Sequence, residues 1–169
     1  MKIMKRFLIV LVICAFYSCN NKISPDSINY IELNEFQKQA DIDSVKGLIS
    51  KSFQDIWSDL DSTKIKKHHT TDYFLLENGV VWNNDSISNF MIRARIRDAK
   101  QQSLRINRFD FLKTVHNKST IWIAYDNFGT WIKENDTLNT AHWLESAVAK
   151  KEGGKWKIQQ LHSTYVGKK

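Results

Sequence analysis

The side chains here that could move a proton at neutral pH are Glu77, in "LLENG", and five histidines: His68, His69, His116, His142 and His162. A carboxylate or imidazole with its pKa near the working pH can serve as a general acid or base. Alternation along the last two apolar runs puts His142, Leu144, Ser146 and Val148 on one strand face, and Trp156, Ile158, Gln160 and His162 on one face of the next. If both faces point inward, His142, Ser146 and His162 are polar groups in an apolar cup, as in a small-molecule site. The same pattern fits one buried histidine bonded to backbone and one exposed. His68 and His69 close a short helix, where cationic groups suit the C-terminus, and are expected at the surface. His116 falls in a turn. Glu77 precedes Asn78-Gly79 and reads either as a base or as a solvated turn residue. No His-x-x-x-His or comparable spacing occurs, so no metal is expected. No phosphate loop, dinucleotide fingerprint or Ser-His-Asp order occurs either, so no cofactor is expected.

Six tryptophans supply large apolar rings with a polar edge. Trp57 follows a helical stripe and Trp156 closes the last hairpin, which makes both core. Trp57, Phe74 and Trp122 join His142, Ser146 and His162 as the candidate ligand contacts. Trp122 and Trp143 either line the cup or, on the outer sheet face, form a homodimer contact.

Elements that would position these groups follow from periodicity. "DIDSVKGLISKSFQDIWSDLDS" places Val45, Leu48, Ile49, Ser52, Ile56, Trp57 and Leu60 at helical spacing behind a cap at Asp43 or Ser44. "DSTKIKKHH" is a short second helix capped by Asp61 or Ser62. "DYFLLENGVVW" is a strand broken at Asn78-Gly79. "NNDSISNFMIRARIRDAK" is a third helix, capped at Asn84 or Asp85, with Ile87, Phe90, Met91 and Ala94 on its apolar side. Four strands follow, over 103–115, 119–131, 137–150 and 155–166, joined by links short enough to make them antiparallel neighbours. Helices first and a meander of long strands after is an α+β plan. Strands this long must curl around the helices.

The N-terminal residues give an address. Lys2, Lys5 and Arg6 precede 11 apolar-run residues, 7–17, too short to span a membrane and suited to an export signal. "FYSC" is similar to a bacterial lipobox, so 1–18 reads as signal peptide, with Cys19 lipidated and 19–42 as a polar tether holding at most a short helix near 31–36. Removing 1–18 takes Cys14 and three basic residues, which lowers the net charge from +7 to +4. The mature chain then has no free thiol, and a charge this mild, on an exported protein, excludes nucleic acid as a partner.

In order and spacing, "FQDIWSDLD", "HHTTDYFLLENGVVW" and above all "ESAVAKKEGGKWKIQQLHSTYV" resemble a SnoaL-like domain of the nuclear transport factor 2-like superfamily, over 43–166. The resemblance implies a cone-shaped α+β barrel: three helices packed in a strongly curved antiparallel sheet around an apolar pocket, with the last hairpin as part of its wall. For the ketosteroid isomerases of that superfamily, the base position falls at or next to Glu77. The tyrosine position falls near Phe53, which lacks a hydroxyl, and the late-strand acid falls at Ser146, beside Glu145. Two of three roles are altered, which argues against that reaction.

Three functions fit. The leading one is a lipid-anchored envelope protein, facing the periplasm, that binds a small apolar or amphipathic molecule without turnover. The second is an isomerase- or dehydratase-type enzyme using Glu77 or His162 as base. The third is an assembly module that dimerises or docks through its sheet face.

Overall fold

The structure is a computed structural model that describes residues 33–167. The expected signal peptide and Cys19 lie outside the described residues.

Helix α1 (Glu35–Ser52) begins earlier than the sequence suggests, because Asn34 and Gln37 form a reciprocal capping box. The stretch read as tether up to residue 42 is therefore partly helix, and the first-helix cap is Asn34 rather than Asp43 or Ser44. The helix continues as a π-helical segment, Phe53–Ser58, ending at Leu60 with a positive φ of 54°. A 3-10 turn (Ser62–Lys64), capped by Asp61, leads into the four-residue α2 (Ile65–His68). Strand β1 (His69–Glu77) then turns at Asn78-Gly79 into β2 (Val80–Asn83). Both turn residues have positive φ, 46° and 84°, the backbone a two-residue hairpin turn needs. Helix α3 (Asn84–Gln101) follows, with the Asn83 side chain accepting from the Ser86 amide at 2.8 Å as its cap. Strands β3 (Leu104–Asn117), β4 (Thr120–Lys133), β5 (Asp136–Glu152) and β6 (Lys155–Gly167) complete the domain.

The sheet order is β2-β1-β6-β5-β4-β3. β3 to β6 form the expected antiparallel meander, whereas β1 pairs with β6 in parallel, the one departure from an all-antiparallel sheet. Val45, Ile49 and Ile56 of the first helix and Ile87, Met91 and Ala94 of α3 bury against Ile121, Ile123, Tyr125, Ala147 and Ala149 of the concave face. Three helices on a curved, unclosed six-stranded sheet make an α+β cone.

Two details set the face of the last strands. In β5 the buried line is Ala141, Glu145, Ala147 and Ala149, with half-buried Trp143 among them, so His142, Leu144 and Ser146 point outward. In β6, Ala149 pairs with Ile158 but Val148 pairs with Gln160, leaving Gln159 as a bulge. The extra residue flips the alternation. Ile158 and Leu161 are both buried although three positions apart, and His162 is exposed.

Candidate functional site

The inner ends of β1 and β3–β6 surround a cavity of about 320 Å³. Six aromatic rings line it: Phe53 and Trp57 from the π-helical segment, Trp82 from β2, Phe90 from α3, Trp131 from β4 and Trp143 from β5. The π-helical turn presents Phe53 and Trp57 to the cavity while Asp55 between them turns back toward His68. Gly129 of β4 makes room for the Trp143 indole, since a Cβ there would stand 2.9 Å from its Cζ3.

A polar thread crosses this wall. Asn107 of β3 donates to Asn127 of β4 at 2.6 Å, and Asn127 donates to Glu145 Oε2 of β5 at 3.2 Å. Ser163 Oγ of β6 donates to the other carboxylate oxygen, Oε1, at 3.0 Å. Glu77 of β1 stands in register with Ser163 and lines the same cavity. Arg105 of β3 lies over the rings of Trp131 and Trp143, 5.1 and 5.0 Å from their centroids, in two cation–π contacts with a tilted indole pair.

Burial raises both carboxyl pKa values. Glu145, 5% exposed, is pushed up to about 7 despite hydrogen bonds from Ser163 and the charge of Arg105, which pull it down. Glu77 is raised by the same cause, with Arg105 and Ser163 again opposing. The cavity thus holds one carboxyl poised near neutrality, a second beside it, and a guanidinium facing both. The Trp82 indole N–H, buried in the wall, has no hydrogen-bond partner among the described residues.

Two of the sequence candidates, Glu77 and Trp57, line the cavity. The expected inward faces of the last two strands are corrected. His162 is exposed, and Ser146, cross-strand from it, is on the outer face. His142 is outside too, hydrogen-bonded to Asp126 at 2.5 Å and stacked on Phe128. Phe74 and Trp122, each 38% exposed, also belong to the outer face. The expectation of surface positions for His68 and His69 fails as well: both are buried, 2% and 3% exposed. His116 lies within the last residues of β3 rather than in a turn, with Nε2 3.3 Å from Asp41 of α1, the residue that also accepts from Trp156 Nε1 at 2.9 Å.

Sequence reading passed over Arg105, Glu145 and Ser163 as site residues. A signal for Glu145 was present: Ala147 and Ala149 on its face are small residues of the kind that let helices pack close, which marks that face as the inner one.

No protein-family model and no curated protein matches this chain. Solved structures do match. A hexachlorocyclohexane dehydrochlorinase, LinA type 3, from Novosphingobium barchaimii aligns over 80% of this chain and 93% of its own with TM-score 0.62 at 9% identity. A protein with a cystatin-like fold from Caulobacter vibrioides aligns over 75% of this chain and 89% of its own with TM-score 0.54 at 14% identity. An NTF-2-like protein of unknown function from Silicibacter pomeroyi covers 76% of this chain and 98% of its own with TM-score 0.55 at 9% identity. The domain has the nuclear transport factor 2-like fold that the SnoaL-like resemblance implies. At these identities the likeness is one of fold, and function rests on the site.

Proposed function

We propose that this domain binds one small molecule in the cavity, with an aromatic or compact apolar body against the tryptophans and a hydrogen-bonding group toward Glu145, Glu77 and Trp82. The observation that carries this reading is the combination in one cavity wall of four indoles, two carboxyls and an N–H donor without an acceptor. At about 320 Å³ the space is at the small end of the ~300–1,000 Å³ range for small-molecule sites, enough for one or two rings. Titration with naphthalene-2-sulfonamide, a neutral two-ring probe, should give saturable tryptophan quenching. Leu161→Trp, which fills the cavity, should abolish it. Absence of saturable quenching in the wild type would sink the reading.

The same proposal places the domain on a tether anchored through Cys19, in the cell envelope. Cys19→Ala should lose label from a palmitate analogue; retained label would exclude that anchor.

A second reading, an enzyme, is favoured by one observation: Glu145, held near neutrality, lies beside Glu77. Such a pair can take a proton from a substrate and return it. With His162 outside, the base would be Glu77 or Glu145. Solvent deuterium appearing in recovered ligand would identify turnover.

A further inference from the structure

A groove adjoins the cavity, and its charge is one-sided. Arg97 and Trp131 line both spaces; beyond them the groove is bounded by Lys100, Ser103, Lys133 and Leu138. Three cations therefore meet at the mouth, and among the described residues no carboxylate lines it. Arg97 and Lys100 stand near the C-terminus of α3, where positive side chains also offset the helix dipole. That explains two of the three. Lys133 comes from the end of β4 and owes nothing to the helix. Neither Lys100 nor Lys133 has a carboxylate within salt-bridge distance among the described residues. Ser103 Oγ, buried at the groove, has no hydrogen-bond partner among them either.

Inside the cavity the charge is offset. Arg105 acts on both Glu77 and Glu145, so a further negative group would meet two carboxyls there. At the mouth, by contrast, Lys100 and Lys133 bring positive charge with no carboxylate in salt-bridge distance among the described residues. Trp131 joins the two spaces, so one ligand can lay a ring on it and reach the lysines.

We infer that the ligand is an anionic amphiphile, its ring body in the tryptophan cavity and its carboxylate, sulfate or phosphate group at Arg97, Lys100 and Lys133. This rests on the cavity being a binding site. The cavity suits a single small body rather than the two chains of a membrane phospholipid. The head group is held by charge-assisted hydrogen bonds, and Ser103 supplies a neutral donor beside them.

A matched pair of probes separates the two claims. Naphthalene-2-sulfonate and naphthalene-2-sulfonamide have nearly the same shape and differ in charge. The sulfonate should bind about tenfold more tightly at low salt, the gain of one hydrogen bond to a charged group. Lys100→Gln/Lys133→Gln should bring the ratio down to about one. Lys66→Gln/Lys155→Gln, which removes the same charge from exposed sites away from the mouth, should keep it. Equal binding of both probes to the wild type would overturn the anionic head group and leave the cavity reading intact. Loss of the preference in both double variants would also overturn it, by showing a diffuse field instead of a site. Failure of both probes to bind would take down the cavity reading and this inference together.

Discussion

Two buried polar clusters in this domain use similar groups to opposite ends. At the cavity, Glu145 is bonded by Asn127 and Ser163 but faces open space with Glu77 and Arg105. At the base of the cone, Asp55 accepts from His68 at 2.6 Å and from Lys51 at 2.5 Å, and His69 lies against Ser52 at 3.5 Å and Asn84 at 3.0 Å while stacking on Tyr73. The second cluster is buried and bonded within itself. Ser52, Asp55, His68 and His69 are each under 5% exposed. Its bonds tie the first helix to β1 and α3, so it reads as a structural lock. The cavity cluster has ionisable groups left over for a ligand. Burial alone does not mark a site; ionisable groups facing an aromatic-walled space do.

Breaking the lock should have the largest effect. Asp55→Ala leaves His68 and Lys51 without their carboxylate, and removing one partner of a buried pair costs about 3–5 kcal/mol. Chemical denaturation should show that loss. A change below about 1 kcal/mol would mean the cluster holds nothing together.

The two clusters should also respond to pH with opposite signs. Glu145 has its pKa raised from 4.5 to about 7, so the native state binds the extra proton and stability falls as pH rises between those values. His69 has its pKa lowered by burial from 6.5 to about 4, so the unfolded state binds the extra proton and stability rises across that window. Each contribution is on the order of 3 kcal/mol, and over the shared part of the range they offset each other. Glu145→Gln should therefore make stability climb more steeply with pH, and His69→Gln should make it fall. Matching slopes in the two variants would refute the contrast.

Packing at the cavity is a smaller effect. Gly129→Ala pushes a methyl into the Trp143 indole, and overpacking of this kind costs about 1–3 kcal/mol. It should also weaken binding of naphthalene-2-sulfonamide. Unchanged stability and binding would show that the indole has room to yield. Smallest of all is His162→Leu: on the exposed outer face it should change stability by no more than about 0.5 kcal/mol and leave probe binding alone.

That last expectation reverses what the sequence suggested, and the reason is physical. Period-two patterning sorts strand residues into two sets without saying which set is inside. In β5 both sets contain apolar residues, Leu144 and Val148 on one side and Trp143, Ala147 and Ala149 on the other. In β6 the bulge at Gln159 changes the phase midway, so Trp156 and Ile158 say nothing about His162. The strands, the Asn78-Gly79 turn and the apolar stripes of the helices were legible because they are local. The lock at Asp55, His68 and His69 was not, because it joins residues 13 to 17 positions apart through tertiary packing. Arg105 was not legible either, because its place over Trp131 and Trp143 depends on strand register. Glu77 was legible as a candidate, since the turn that follows fixes where β1 must end.

The central claim is that Glu145 is a near-neutral carboxyl on the wall of a ligand cavity. Its side-chain carboxyl carbon, labelled with carbon-13 and followed by NMR against pH, reports this directly. A midpoint near 7 is expected, moving when naphthalene-2-sulfonamide is added. A midpoint at the ordinary value of 4.5, unmoved by the probe, would contradict it.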